Sequence, residues 1–182
     1  MRITPSAMLC SLALTIGAQA QTVEPPATIA SAGGGAPLQR AAHASRVYLL
    51  GQAEMYTLAI YVEAPPLDRV RLAGRDVTKT LRIQITYKED LRGRYPVDWR
   101  RELLPPLEET AEAHLFGSFA PLRHGDVVLV EYAPGRGTSV RINNRSVAAS
   151  SASHDLMLAF LDHWIGQRPV SEELKRALLG GA

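Results

Sequence analysis

The sequence predicts an α+β fold, an antiparallel sheet covered on one face by helices. Three observations carry that prediction. Gly125 to Asn144 reads as a strand meander. Ser153 to Ile165 places Leu156, Met157, Phe160, Leu161 and Trp164 at helical spacing. Leu81 to Tyr87 alternates, with Leu81, Ile83, Ile85 and Tyr87 on one side and Arg82, Gln84 and Thr86 on the other. That alternation belongs to a half-buried antiparallel strand.

The meander is built from strand and turn chemistry. Val127 to Tyr132 is β-branched and apolar. Pro134, Gly135 and Gly137 turn the chain, because proline presets φ and glycine accepts positive φ. Thr138 to Ile142 returns with Val140 and Ile142 on one face. Asn143-Asn144 suits a left-handed two-residue turn into a third strand, Arg145 to Ala149. One apolar face results, and the 153–165 helix is its nearest cover. Ser151 or Ser153 is placed to cap that helix and Gly166 to end it.

The 182 residues carry a formal net charge of +2, too little for a nucleic-acid footprint. Residues 1–20 have the layout of a cleaved secretory signal: Arg2, the apolar run Ala7 to Ile16, then Ala18-Gln19-Ala20. The run is shorter than the roughly 20 apolar residues of a membrane span. No later run reaches that length, so the mature chain is expected without a transmembrane span and in the periplasm. Cys10, the one cysteine, falls inside the signal, which leaves no thiol for disulfides or metal.

Residues 21–42 are rich in Pro, Ala and Gly, with Gly33-Gly34-Gly35 inside them, and read as a flexible leader. A single domain is expected over 43–182. Ser45 to Val62 forms two strands, or one broken near Gly51, and is apolar on both faces. Tyr56, Leu58, Ile60 and Val62 share one face, Met55, Thr57, Ala59 and Tyr61 the other. Leu67 to Ala73 fits a short helix ended by Gly74. Lys88 to Arg101 is the most basic stretch and reads as a solvated helix face. Asp98 is its cap, Pro105-Pro106 its interruption, and Leu107 to Phe116 a second piece. Ser171, followed by Glu172 and Glu173, caps a last helix docked by Leu174, Leu178 and Leu179.

Catalytic motifs find little support. None of the five histidines has the spacing of a helical metal site, and no Gly-x-Ser-x-Gly elbow occurs. Pro134 to Ser139 precedes a strand, not the helix N-terminus that a phosphate loop needs. No metal or cofactor is expected. Arg46 with Tyr48, Tyr56 and Tyr61 is the strongest functional hint, ahead of the anion-capable Arg92, Arg94, Arg100 and Arg101, since guanidinium and phenol groups facing an apolar cleft can hold a carboxylate or phenolate. The same residues also suit ordinary sheet packing.

At this level of detail the chain resembles bacterial exported proteins of the chalcone isomerase-like family. The resemblance rests on Tyr132-Ala133-Pro134-Gly135-Arg136-Gly137-Thr138, Asn143-Asn144, Trp164-Ile165-Gly166-Gln167-Arg168-Pro169-Val170 and Leu174 to Gly180. Tyr56 to Tyr61 is similar to that family's tyrosine-bracketed strand. The likeness spans Val47 to Gly180, and the order and spacing of its last third carry it. It implies an open-faced β-sandwich, a large antiparallel sheet with helices packed on one face and a cleft between.

True chalcone isomerases close a phenolate onto an enone with help from an arginine. Plant relatives bind fatty acids without catalysis, anchoring the carboxylate on an arginine and a tyrosine. Carried over, that tyrosine falls on Tyr61 and the arginine on Tyr48, which is not an arginine; either Arg46, two residues earlier on the same strand face, reaches the same cleft, or the anion site is lost. The resemblance thus implies a ligand site of Arg46, Tyr48 and Tyr61, and assigns no catalytic residue. The leading expectation is a non-catalytic binder of a small lipophilic or acyl ligand. The alternatives are an isomerase, an intramolecular lyase acting on a phenolic or enone substrate, and an envelope protein with a closed cleft that binds a protein partner.

Overall fold

The computed structural model describes residues 24–48, 53–65, 69–87, 101–119, 122–148 and 153–180. Their centre is a seven-stranded antiparallel sheet in which strand order follows chain order. The strands are β1 (Thr28–Ile29), β2 (Leu38–Tyr48), β3 (Ala53–Val62), β4 (Lys79–Ile85), β5 (Val127–Ala133), β6 (Gly137–Ile142) and β7 (Arg145–Ala148). The described helices are α1 (Arg69–Leu72), α2 (Glu109–Phe119), α3 (Asp155–Ile165) and α4 (Glu172–Leu178). None is long and apolar enough to cross a membrane.

The meander forms as its turn chemistry predicts. Gly135 and Gly137 take φ of 74° and 79°, and Asn143 and Asn144 take 48° and 66°. Side-chain alternation then sorts β3, β4 and β5 into two faces. Tyr56, Leu58, Leu81, Ile83, Val128 and Val130 turn toward the helices and pack with Met157, Phe160 and Trp164 of α3 and Leu174 of α4 in one core. Ser171 Oγ accepts the Leu174 N–H and caps α4. At the start of α3, Ser153 Oγ accepts the Asp155 N–H, while His154 stands at the cap position without a side-chain bond. Gly166 ends α3 in an extended conformation, not a left-handed one. Glycine is required there because a Cβ would collide with the carbonyl and carboxylate of Asp162.

The expected flexible leader, residues 21–42, is corrected by the strands. Residues 28–29 form β1, and β2 begins at Leu38. Thr28 pairs with Gln39, and Arg40 with Tyr61. The Arg40 guanidinium reaches the Pro25 carbonyl and Glu24, and Tyr61 Oη donates to the Pro26 carbonyl at 2.8 Å. The segment from Glu24 to Ile29 is thereby strapped over the outer face of the sheet. Leu38, Ala59 and Tyr61, with Ile29 against them, make a second small core there. This strap explains why β3 is apolar on both sides. Asp98, Trp99 and most of the basic 88–101 stretch lie outside the described residues, as do residues 1–20 and Ser151.

Candidate functional site

The helix-covered face of β2 and β3 holds a buried polar group in an otherwise apolar core. Arg46 lies directly opposite Tyr56 across the strand pair, so both project to the same side. Arg46 donates twice to one carboxylate: Nε to Glu102 Oε2 at 3.1 Å and Nη2 to Glu102 Oε1 at 3.3 Å. The two side chains are only 14% and 8% exposed. This is the two-pronged geometry that makes arginine selective for carboxylates. Its Nη1 also donates to the Val47 carbonyl.

Helix α3 closes the group from above. Trp164 Nε1 donates to Tyr56 Oη at 3.1 Å. One residue earlier, His163 Nε2 lies 2.7 Å from the Glu102 carbonyl oxygen. Because that oxygen only accepts, the imidazole carries its proton on Nε2. Burial pushes the His163 pKa down, partly opposed by Glu102 and Asp162. The neutral ring thus tethers the Glu102 backbone while Arg46 grips its side chain. Phe160 stacks on Trp164 with ring centroids 5.6 Å apart and supplies an apolar wall.

The three residues expected at the ligand site are placed differently. Arg46 belongs to this group. Tyr48 pairs with Ala53 at the end of β2, and its side chain lies outside the described residues. Tyr61 is on the opposite face of the sheet, beneath the strap, and the structure does not bring it to Arg46. Its phenol pKa is raised, first by burial, against the lowering pull of Arg82 and Arg40. Sequence reasoning did not select Glu102 or His163, which reach the group from 56 and more residues away in the chain. Tyr56 had a usable signal: it shares its face with Leu58 and Ile60, the side that needs a helical cover.

A second buried polar cluster sits at the far end of β4. Lys79 is 0% exposed, and its ammonium donates to the Leu72 and Gly74 carbonyls and lies 4.9 Å from the Tyr132 ring centre. Burial lowers its pKa to about 8, with Asp76 opposing. His154 packs on Tyr132 with ring centroids 4.3 Å apart, and neither of its ring nitrogens has a hydrogen-bond partner among the described residues. Among the described residues, no three His, Cys, Asp or Glu side chains gather as a metal site.

No curated protein matches the chain. Among solved structures, it is similar to a fatty-acid binding protein of Arabidopsis thaliana, AtFAP1, at 18% identity and a TM-score of 0.49. That likeness covers 84% of this chain and 95% of the other. The family model described as chalcone isomerase-like matches residues 19–180, which takes in the whole sheet, the strap and every described helix. The chain belongs to the chalcone isomerase-like family.

Proposed function

We propose that this protein is a non-catalytic binder of a small lipophilic or acyl ligand, with the ligand's carboxylate taken by Arg46 at the interface of sheet and helices. One observation carries the reading. Arg46 and Tyr56 stand side by side on the helix-covered face, and the guanidinium already holds a carboxylate, that of Glu102, in two hydrogen bonds. A largely buried guanidinium beside Tyr56, whose hydroxyl accepts from Trp164, suits an anionic head group, and the apolar core that includes Tyr56 and Trp164 suits an acyl chain. In this reading Glu102 is the internal occupant that a ligand head group replaces, and Tyr56 is the hydroxyl that accompanies Arg46. The protein acts outside the cytoplasm: residues 1–20 are a signal removed on export, and the mature chain works in the periplasm.

The test uses Trp164 as reporter. In a Trp99→Phe background Trp164 is the sole indole. Its bond to Tyr56 puts it next to the proposed head-group site. Decanoate is expected to change its emission saturably, and native mass spectrometry of gently purified protein to show a discrete acidic adduct. A flat titration together with a clean apo mass would refute the reading.

A further inference from the structure

The outer face of the sheet carries a cavity of about 520 Å³ that the Arg46 group does not touch. Its floor is Val127 and Leu129 of β5, and Ile29 at the end of the strap with the following Ala30 forms one wall. Three charged side chains line it: Arg82, Glu131 and Arg141. Their charges do not cancel. Arg141 is committed to Glu131, Nε to Oε2 at 2.5 Å and Nη2 to Oε1 at 2.7 Å. Among the described residues, Arg82 donates only to the neutral side-chain oxygen of Gln84, at 2.9 Å, and meets no carboxylate. A partly buried guanidinium without a counter-charge is costly to keep and open to an anion. Beside it, on the same face, Thr80 is fully buried between Tyr61 and Glu131, and its Oγ1 has no hydrogen-bond partner among the described residues.

We propose that this cavity is a second ligand site, for a small monocarboxylate with an apolar body. The head group pairs with Arg82, and the body lies over Leu129, Val127 and Ile29. The charge count selects the class. One uncompensated cation suits a monoanion, whereas a phosphate dianion would also face the Glu131 carboxylate. The volume falls within the range of small-molecule pockets. The strap makes the site: without Ile29 and Ala30 the sheet face would be an open surface.

This cavity and the Arg46 group lie on opposite faces of the sheet, and one experiment separates them. Octanoate is titrated into uniformly 15N-labelled protein, and amide shifts are followed by residue. Saturable shifts at Ala30, Leu129 and Asn144 are expected. Arg82→Gln is expected to weaken that response roughly tenfold or more, the size of one charge-assisted hydrogen bond, and Arg82→Lys to restore part of it. Groove amides that stay still in the unsubstituted protein, or that respond equally in Arg82→Gln, would overturn the proposal. The wild-type map decides the matter even if Arg82→Gln folds poorly. Failure of the Arg46 reading would show instead as silence at Tyr56 and Trp164.

Discussion

Trp164 Nε1 donates to Tyr56 Oη at 3.1 Å, and neither residue is more than 1% exposed. Together with the His163 bond to the Glu102 carbonyl, this bond gives α3 a directional contact among neighbours that are otherwise apolar, such as Met157 and Phe160. Tyr56→Phe keeps the ring but leaves a buried indole N–H without its acceptor. The expected cost is about 1–3 kcal/mol, read as a lower urea midpoint at unchanged slope. A Tyr56→Phe protein as stable as the wild type would mean that the indole finds another acceptor at no loss.

Arg46 and Glu102 make opposite predictions for stability and for binding. Arg46→Ala strands a carboxylate that is 8% exposed, at an expected cost of about 3–5 kcal/mol. Glu102→Gln loosens the grip on the guanidinium while keeping the side chain's shape. If the Glu102 carboxylate stands where a ligand head group binds, Glu102→Gln binds decanoate several-fold more tightly than wild type. Calorimetric titration of the two proteins checks this. Equal affinities would place the acyl head group elsewhere.

How far these features could be read from sequence depends on how local their causes are. The β5–β6 turn, the Asn143-Asn144 turn, the amphipathic α3 and the Ser171 cap each rest on residues within a few positions of one another, and each is present. The Arg46–Glu102 pair spans 56 positions, and the Tyr61–Pro26 bond spans 35. No periodicity encodes such contacts. The face that each β2 side chain joins is hidden for a different reason. Arg40 pairs with Tyr61 and Ala42 with Ile60, so a register shift intervenes between them. An irregularity of this kind inverts the odd-even rule for everything beyond it. Arg40 therefore shares Tyr61's outer face, while Arg46, of the same parity, shares the helix face with Tyr56. Strict alternation counted from Arg40 would put Arg46 on Tyr61's face.

Lys79 predicts an unusual alkaline dependence. Burial holds its pKa at about 8 in the folded chain, against an ordinary value of 10.5. Between those values the unfolded chain binds more protons, so stability rises with pH. Below about pH 8 both states are protonated and the penalty is fully present. The gain on raising pH from 8 to 10 is at most about 3 kcal/mol. Tyr61, whose pKa is raised, works the other way above about pH 10, so the window closes there. Unfolding curves of wild type and Lys79→Met, compared at steps through this window, isolate the lysine. The wild-type slope is expected to vanish in the variant, and an unchanged slope would assign it to other groups.

His154 makes the matching prediction on the acid side. It is 4% exposed, packs on Tyr132, and has two ring nitrogens without partners among the described residues. Its pKa is lowered by burial first and then by Lys79 and Arg75, while Asp155 opposes. The folded chain therefore keeps the ring neutral while the unfolded chain takes up a proton near pH 6.5. Stability is complete above that pH and falls as the solution becomes more acidic. His163 contributes in the same direction and remains in a His154 variant. In His154→Leu the buried nitrogens disappear, and the packing against Tyr132 is largely kept. The variant is expected to gain about 1 kcal/mol at pH 7, by relief of an unsatisfied polar group. It is also expected to lose less stability than wild type between pH 7 and pH 5. Thermal unfolding across that range tests both statements. A variant that is less stable at pH 7 with the same acid slope would show that the imidazole has a favourable role in the folded state.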